Sequence, residues 1–473
     1  MHRFRILLTV AAFGMGLTLP GSGDRPSVGG ARAEAGQPRI AIFDVDVSPP
    51  VGSPLAYDPC VEVTDPLSCR GVILLGAGEP IVMAAIDWLG VANEAHVHAR
   101  RRIAEAVGTS VERVALHALH QHDAPRCDFT SAALLNHYGI RDLPFDVPWA
   151  REVFERVAAA ARASLEDAQP FDRIGLGQAE VRDVASNRRI QDDTGRVIAT
   201  RYTACRDPEL RAAPVGTIDP LLRSIGFYQG DRPLAVLTYY ATHPQSYYRT
   251  GQANPDFPGY ARDARQQDSG IPHIHFNGAG GNIGAGKWND GSPENRQALA
   301  DRVAQAMDQA LASAETHPID AGQIGWTSVA VSLPPGEHLI EEALVAVLED
   351  EEASGPERLT AAKHLAWLQR TRVGELVDIQ CLRLGGARVL HMPGELFVEY
   401  QLAAAEMRPD LFVAMAAYGE YGPGYIGTEI AYSQGGYETS ERASRVAPAV
   451  EQVLRQAMAT LLETDRETPS PGQ

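Results

Sequence analysis

The tightest constraint on folding lies between Arg113 and Pro125, which read R-V-A-L-H-A-L-H-Q-H-D-A-P. Val114, Ala115, Leu116, Ala118 and Leu119 predict a buried strand, and Pro125 closes it. Side chains alternate faces along a strand. Continued extension would put Val114, Leu116, Ala118, His120 and His122 on one face and His117 on the other. Two imidazoles then stand side by side where the chain leaves the sheet. Such a pair offers two nitrogens to one zinc, or one to a metal and one to a substrate. The bland alternative is a pair of hydrogen-bonded core histidines, and the rest of the chain has to choose.

Two further stretches end a strand on a polar group. L-A-V-L-T-Y-Y-A-T-H-P, from Leu234, delivers His243 to a strand end stopped by Pro244. R-V-L-H-M-P-G-E, from Arg388, turns at Pro393-Gly394 and predicts a helix from Glu395 to Met407. Glu395 in its first turn would complement the helix dipole, or would be a carboxylate rigid enough to ligate. Tyr418 to Glu438 sets five tyrosines among six glycines, the composition of a structured loop over a pocket rather than of a core. Between His273 and Asp290, Gly281 to Lys287 matches G-x-x-x-x-G-K. Trp288, however, stands where a P-loop needs Ser or Thr. We read that loop as backbone wrapped around a substrate, with Asn277 and Asn282 beside it.

The remaining pattern predicts one large mixed α/β domain with hairpins, mixed sheets and flanking helices. Strands are expected at Ile40–Val47, Gly71–Leu75, Pro80–Leu89, Ile174–Val181, Ser224–Tyr228, Leu234–Tyr240, Trp326–Leu333, Leu376–Leu384 and Leu411–Ala417. Helices are expected at Asn93–Val107, Trp149–Ala168, from Ser292 to about Glu315, as an acidic pair at Leu339–Glu352 and Pro356–Thr371, and at Arg445–Leu462. His96 and His98, two apart in a helix, read as surface residues. No repeat or low-complexity linker divides the body. Met1 to Arg5 is basic and Ile6 to Leu19 apolar, the pattern of an export signal through residue 33, and the polar tail 464–473 predicts disorder. Export makes Cys60–Cys69 the expected disulfide among five cysteines. A formal charge of −18 argues against a nucleic-acid partner. No stretch beyond the leader is long and apolar enough to span a membrane.

Taken in order, these motifs resemble the catalytic domain of the neutral ceramidase family. H120-Q-H122-D-A-P is similar to that family's H-T-H-S-G-P, A-T-H243-P-Q-S to its V-H-x-T-S, and P-G-E395 to its P-G-E-F. Y425-I-G-T-E-I-A-Y-S-Q-G-G-Y437-E resembles its Y-x-T-T-x-E-E-Y-x-x-Q-x-Y-E, and S-N187-R188 its N-R-S segment. The resemblance implies a zinc-hydrolase domain over residues 38–463 whose metal ligands are His120, His243, Glu395 and Tyr425. It implies that His122, Arg188 and Tyr437 act on the substrate, a small or lipid-like N-acyl amide attacked by water that the zinc activates. The family's substrate loop G-D-V-S-P-N aligns with G281-N-I-G-A-G286, so Gly284 stands where that family has serine and Asn282 where it has aspartate. A substrate site containing Asn277, Asn282 and Gly284 is therefore expected to select ceramide less strongly. Two competing readings are an amidohydrolase-type barrel, which the hairpins disfavour, and a binding protein that kept the scaffold without the chemistry.

Overall fold

Three times along the chain, three antiparallel strands run into a helix and then into a strand parallel to the third. The computed structural model describes residues 37–141 and 144–463, so the expected signal segment and the tail lie outside the described residues. The first unit is Arg39–Asp46, Ser68–Leu75, Ile81–Ile86, the helix Glu94–Val107 and Val114–Ala118. The second is Arg173–Glu180, Leu221–Gln229, Arg232–Tyr240, the helix Asp256–Ser269 and His273–Asn277. The third is Ile324–Val331, Val377–Leu384, Ala387–His391, the helix Val398–Met407 and Phe412–Ala416. The pattern is invisible in the sequence because the units share topology without shared residues, and their connections differ in length.

Alternation of strand side chains builds the layers of this single mixed α/β domain. Ile81, Met83 and Ala85 face a central apolar cluster to which all three sheets contribute, among others through Phe227, Leu237, Phe276, Leu382, Val389 and Ala414. Their neighbours Val82, Ala84 and Ile86 face the other way, toward the helices Glu94–Val107 and Val147–Ser164. The second sheet is likewise backed by the helices Asp256–Ser269 and Pro293–Ala312.

Most predicted elements form close to their expected positions, and the differences have local causes. The helix expected from Arg445 begins at Val450, since a residue before proline disfavours the helical conformation and Pro448 follows Ala447. Glu395 lies outside the helix that starts at Val398, in a two-residue strand instead. His96 is buried against the sheet, its Nε2 3.1 Å from the Leu116 carbonyl. All five cysteines are unpaired and buried. Cys60 turns its thiol to the Glu62 carbonyl, while strand register holds Cys69 between Val45 and Ile86, so the expected bridge does not form.

Candidate metal centre

The parallel strands of the three units point their carboxyl ends at one place, where the backbones cross-link. Ala118 N–H donates to the Tyr418 carbonyl, Ala417 N–H donates to the Asn277 carbonyl, and the Asn277 side-chain amide donates to the Leu119 carbonyl. Each unit is thus tied to the other two at the point where its chain leaves the sheet. The strand Val114–Ala118 stops there, and the alternation expected through His122 breaks. His120 adopts a left-handed φ of 74°, and Tyr418 across from it has φ 60°. Such a backbone costs a non-glycine residue about 1–3 kcal/mol and persists only where surrounding structure imposes it. Here the turn brings His120 and His122 to the same centre despite the broken alternation.

Four groups face one another in that centre. Nε2 of His243 lies 3.3 Å from Nε2 of His120 and 3.0 Å from Nε2 of His122. Oε2 of Glu395 lies 3.3 Å from Nε2 of His120 and 4.0 Å from Nε2 of His243. The His120 ring is oriented by a 2.6 Å hydrogen bond from Nδ1–H to the Leu89 carbonyl. That bond fixes the tautomer and turns the Nε2 lone pair inward, as ligating histidines are commonly held. Burial, reinforced by neighbouring cationic groups, pushes both His122 and His243 well below the ordinary histidine range, so both are neutral. Burial works against a charge on Glu395, but His120 and hydrogen bonds from Tyr421 and Tyr425 hold its carboxyl below the ordinary range.

A short parallel ladder puts Glu395 directly beside Tyr425. The Tyr425 ring is parallel to the His243 ring at 6.4 Å, and its hydroxyl accepts from Nη2 of Arg188 at 3.2 Å. Arg188 is anchored by the Gly281 carbonyl at 2.6 Å and by Glu438 at 3.2 Å. Tyr437 is half-buried at the edge, its ring 5.6 Å from that of Tyr425. On the other side, Gln245 donates its amide to Nδ1 of His122 at 3.0 Å, which leaves the His122 proton on Nε2.

The glycine-rich loop meets the centre through its backbone. At Gly281 a Cβ would lie 2.2 Å from the Glu395 carbonyl oxygen, so only glycine lets the loop pack there. Gly284 pairs with Ser186 in a two-residue ladder, and the stem of Arg188 crosses it closely enough that a Cβ would meet Cδ at 3.0 Å. Asn282 accepts from Val398 N–H at 2.9 Å and donates to Glu399 at 2.9 Å, securing the start of the helix Val398–Met407. Asn277 is wholly buried beneath the centre. Lys287, the lysine of the P-loop-like string, is spent on the Arg211 and Ala213 carbonyls.

Three contributors escaped the sequence reading. Tyr421 donates to Oε1 of Glu395 at 2.6 Å, Leu89 orients His120 through a carbonyl, and Tyr57 places its hydroxyl 3.1 Å from Nδ1 of His122. Only Tyr421 had a signal, its place in the tyrosine-glycine stretch. A backbone carbonyl has none.

The donor set could hold a metal cation. His120, His122 and His243 bring ligand atoms within 4.8 Å of one another. Oε2 of Glu395 is buried among them without a hydrogen-bond donor. A buried carboxylate oxygen left without a donor is costly. A metal ion would relieve that cost.

No family model matches the chain, and no curated protein sequence matches it. Solved structures do. Neutral ceramidase from Pseudomonas aeruginosa superposes with a TM-score of 0.65 at 17% identity, covering 92% of this chain and 76% of that one. A ceramidase complexed with C2 superposes with a TM-score of 0.66 at 15% identity, over the same shares of both chains. At such identity the likeness establishes the fold, which is that of the ceramidases.

Proposed function

We propose that this chain is a zinc-dependent hydrolase of N-acyl amides. The observation that carries this reading is the Glu395 carboxylate oxygen, buried without a donor and facing the Nε2 atoms of His120 and His243. In this reading His120, His243, Glu395 and Tyr425 hold the metal. His122 stays outside the ligand set because the Gln245 amide occupies its Nδ1 and keeps its proton on Nε2. Zinc bound there supplies Lewis-acid chemistry, polarising an acyl carbonyl and acidifying water. His122 offers its Nε2 proton to the acyl oxygen or the departing nitrogen, and Tyr437 offers a hydroxyl from the rim. Arg188, locked between Glu438 and Tyr425, sets the position and charge of the Tyr425 hydroxyl. The basic-then-apolar start of the sequence supports export as part of the same proposal.

Elemental analysis of the purified protein is expected to return about one zinc per chain. A metal-free protein, or two metals per chain, would count against this ligand set. A panel of N-acyl amides, esters and lactones then separates an amidase from an esterase and from a binding protein without turnover.

Gly284 supports a substrate other than ceramide within this reading. Its φ is not left-handed, so serine is conformationally allowed, but the new Cβ must displace the Arg188 stem by a few tenths of an ångström. Gly284→Ser is expected to lower turnover of a simple N-acyl amide while raising the ratio of ceramide to simple-amide cleavage, since a hydroxyl discriminates for a hydrogen-bonding head group. Paired assays on both substrates read that ratio. An unchanged ratio would remove Gly284 from substrate selection.

A further inference from the structure

A second cluster of charge, buried at Arg445 and half-buried at Arg126 and Lys363, lies behind Tyr421 and is used by none of the steps above. Arg126, Lys363 and Arg445 converge on a small cavity of about 20 Å³, with Asp128 and Tyr421 in its wall. That volume holds one small polar group rather than a phosphate or a ring. The cations come from three separate elements: the short strand Arg126–Asp128, the helix Gly355–Arg372 and the loop after Gln434. Among the described residues neither Arg126 nor Lys363 makes an ion pair. Arg445 is 7% exposed. It spends one nitrogen on the Gly422 carbonyl, and its Nε, like that of Arg126, is buried without an acceptor. Asp128, whose oxygens also accept from Asn93 and Ser131, supplies a single negative charge in the wall against three basic side chains. Desolvation, with Arg126 and Arg445 nearby, holds Lys363 well below the ordinary lysine range, and an anion in the cavity would favour its charged form.

Three basic side chains converging on one cavity with one carboxylate leave an excess of positive character there, in a protein of formal charge −18, and a bound anion would complete it. The cavity also adjoins the metal centre. Tyr421 lines it and donates its hydroxyl to Glu395. The Arg126 guanidinium lies 5.5 Å from the ring centroid of Tyr57, whose hydroxyl contacts His122.

We propose that this cavity is a carboxylate-binding subsite, and that the amide cleaved beside it carries a free carboxylate close to its scissile nitrogen, as an N-acyl amino acid does. This rests on the amide-hydrolase reading above. Water adds hydroxide to the acyl carbon and a proton to the nitrogen as the C–N bond breaks, releasing a carboxylic acid and an amino acid. Guanidinium and ammonium donors then hold the amino-acid carboxylate through charge-assisted hydrogen bonds.

The test separates this subsite from the catalytic reading by using ligands with no acyl carbon to cleave. Binding of N-octylsulfonylglycine and of its primary amide to the full-length protein is compared by calorimetry. Wild type is expected to bind the acid at least about tenfold tighter than the amide, the discrimination one charge-assisted contact supplies. Lys363→Met and Arg126→Gln should each reduce that preference severalfold. Neither should lower the melting temperature, because each removes one basic group from a cluster with excess positive character. Equal binding of acid and amide by wild type would overturn the proposal. So would a preference that survives both substitutions, which would place the carboxylate at the metal instead. If sodium chloride raises the melting temperature of wild type but not of Lys363→Met, while the acid gains nothing over the amide, the cavity holds an inorganic ion and the substrate assignment falls.

Discussion

Glu395→Ala is expected to purify without zinc and without amide hydrolase activity. Its carboxylate is the sole anionic donor facing the imidazoles among the described residues, and it is 4% exposed. Loss of an outer-sphere partner alone weakens metal binding by about 10–100-fold, and loss of a ligand should exceed about 100-fold. Glu395→Gln separates ligation from folding. Its carboxamide oxygen still accepts from Tyr421, so the fold is kept, but a neutral amide is a poor zinc ligand. The expected result is a folded Gln variant, by circular dichroism, that has lost zinc by elemental analysis. Retention of one zinc per chain in either variant would reduce Glu395 to a structural partner of Tyr421.

The largest effect on stability is expected from Glu420→Ala. Oε1 of Glu420 accepts from the backbone N–H groups of Asn93 at 2.7 Å and Gly422 at 2.8 Å. Oε2 pairs with Arg370 at 2.5 Å and lies 3.4 Å from Nδ1 of His96. One buried carboxylate therefore joins two helices to the loop that carries Tyr418, Tyr421 and Tyr425. Truncating one partner of such a buried pair leaves the other charge uncompensated, at a cost of about 3–5 kcal/mol.

That cost carries a pH signature. Burial alone would raise the Glu420 carboxyl, but Arg370 and His96 outweigh it and hold the group well below its ordinary value of 4.5. A depressed folded-state pKa contributes stability that is complete above the unfolded value and is lost as pH falls toward the folded one. The gap between wild type and Glu420→Ala in denaturant melts should therefore be full at pH 7. Below about pH 4.5 it should narrow by about 1.4 kcal/mol per pH unit. A gap independent of pH between 7 and 3.5 would show that the loss comes from packing and not from the charge.

Much of the molecule was legible before any coordinates. Short apolar runs such as Val114–Ala118 and Leu234–Tyr240, buried on both faces, identified most long strands, because burial within a sheet leaves a pattern in the residues themselves. Strand-end residues His120, His122, His243 and Glu395 stood out for the same reason: a polar group that closes an apolar strand next to proline or glycine is locally conspicuous. Corrections fell where a neighbour far along the chain decides. His96 looked like a surface residue in a helix, but Leu116 and Glu420 supply partners that let an imidazole be buried. Glu395 looked like a helix-start residue, but Tyr425, thirty positions later, takes it into a ladder.

By itself, then, the sequence determined most of the segments that are strands and helices, which residues are candidates for ligand chemistry, and where each sits relative to the end of its own strand. These depend on interactions within a few residues. Only the tertiary structure decided that three sheets repeat one topology, that Asn277, Ala118 and Ala417 lock their strand ends together, and that Tyr421 and the Leu89 carbonyl orient the donors. It alone also decided that Arg126, Lys363 and Arg445, which share no motif, enclose a single cavity. Convergence of residues hundreds of positions apart is set by how sheets pack across a common core. Packing is a property of surfaces brought together, and no local stretch encodes it.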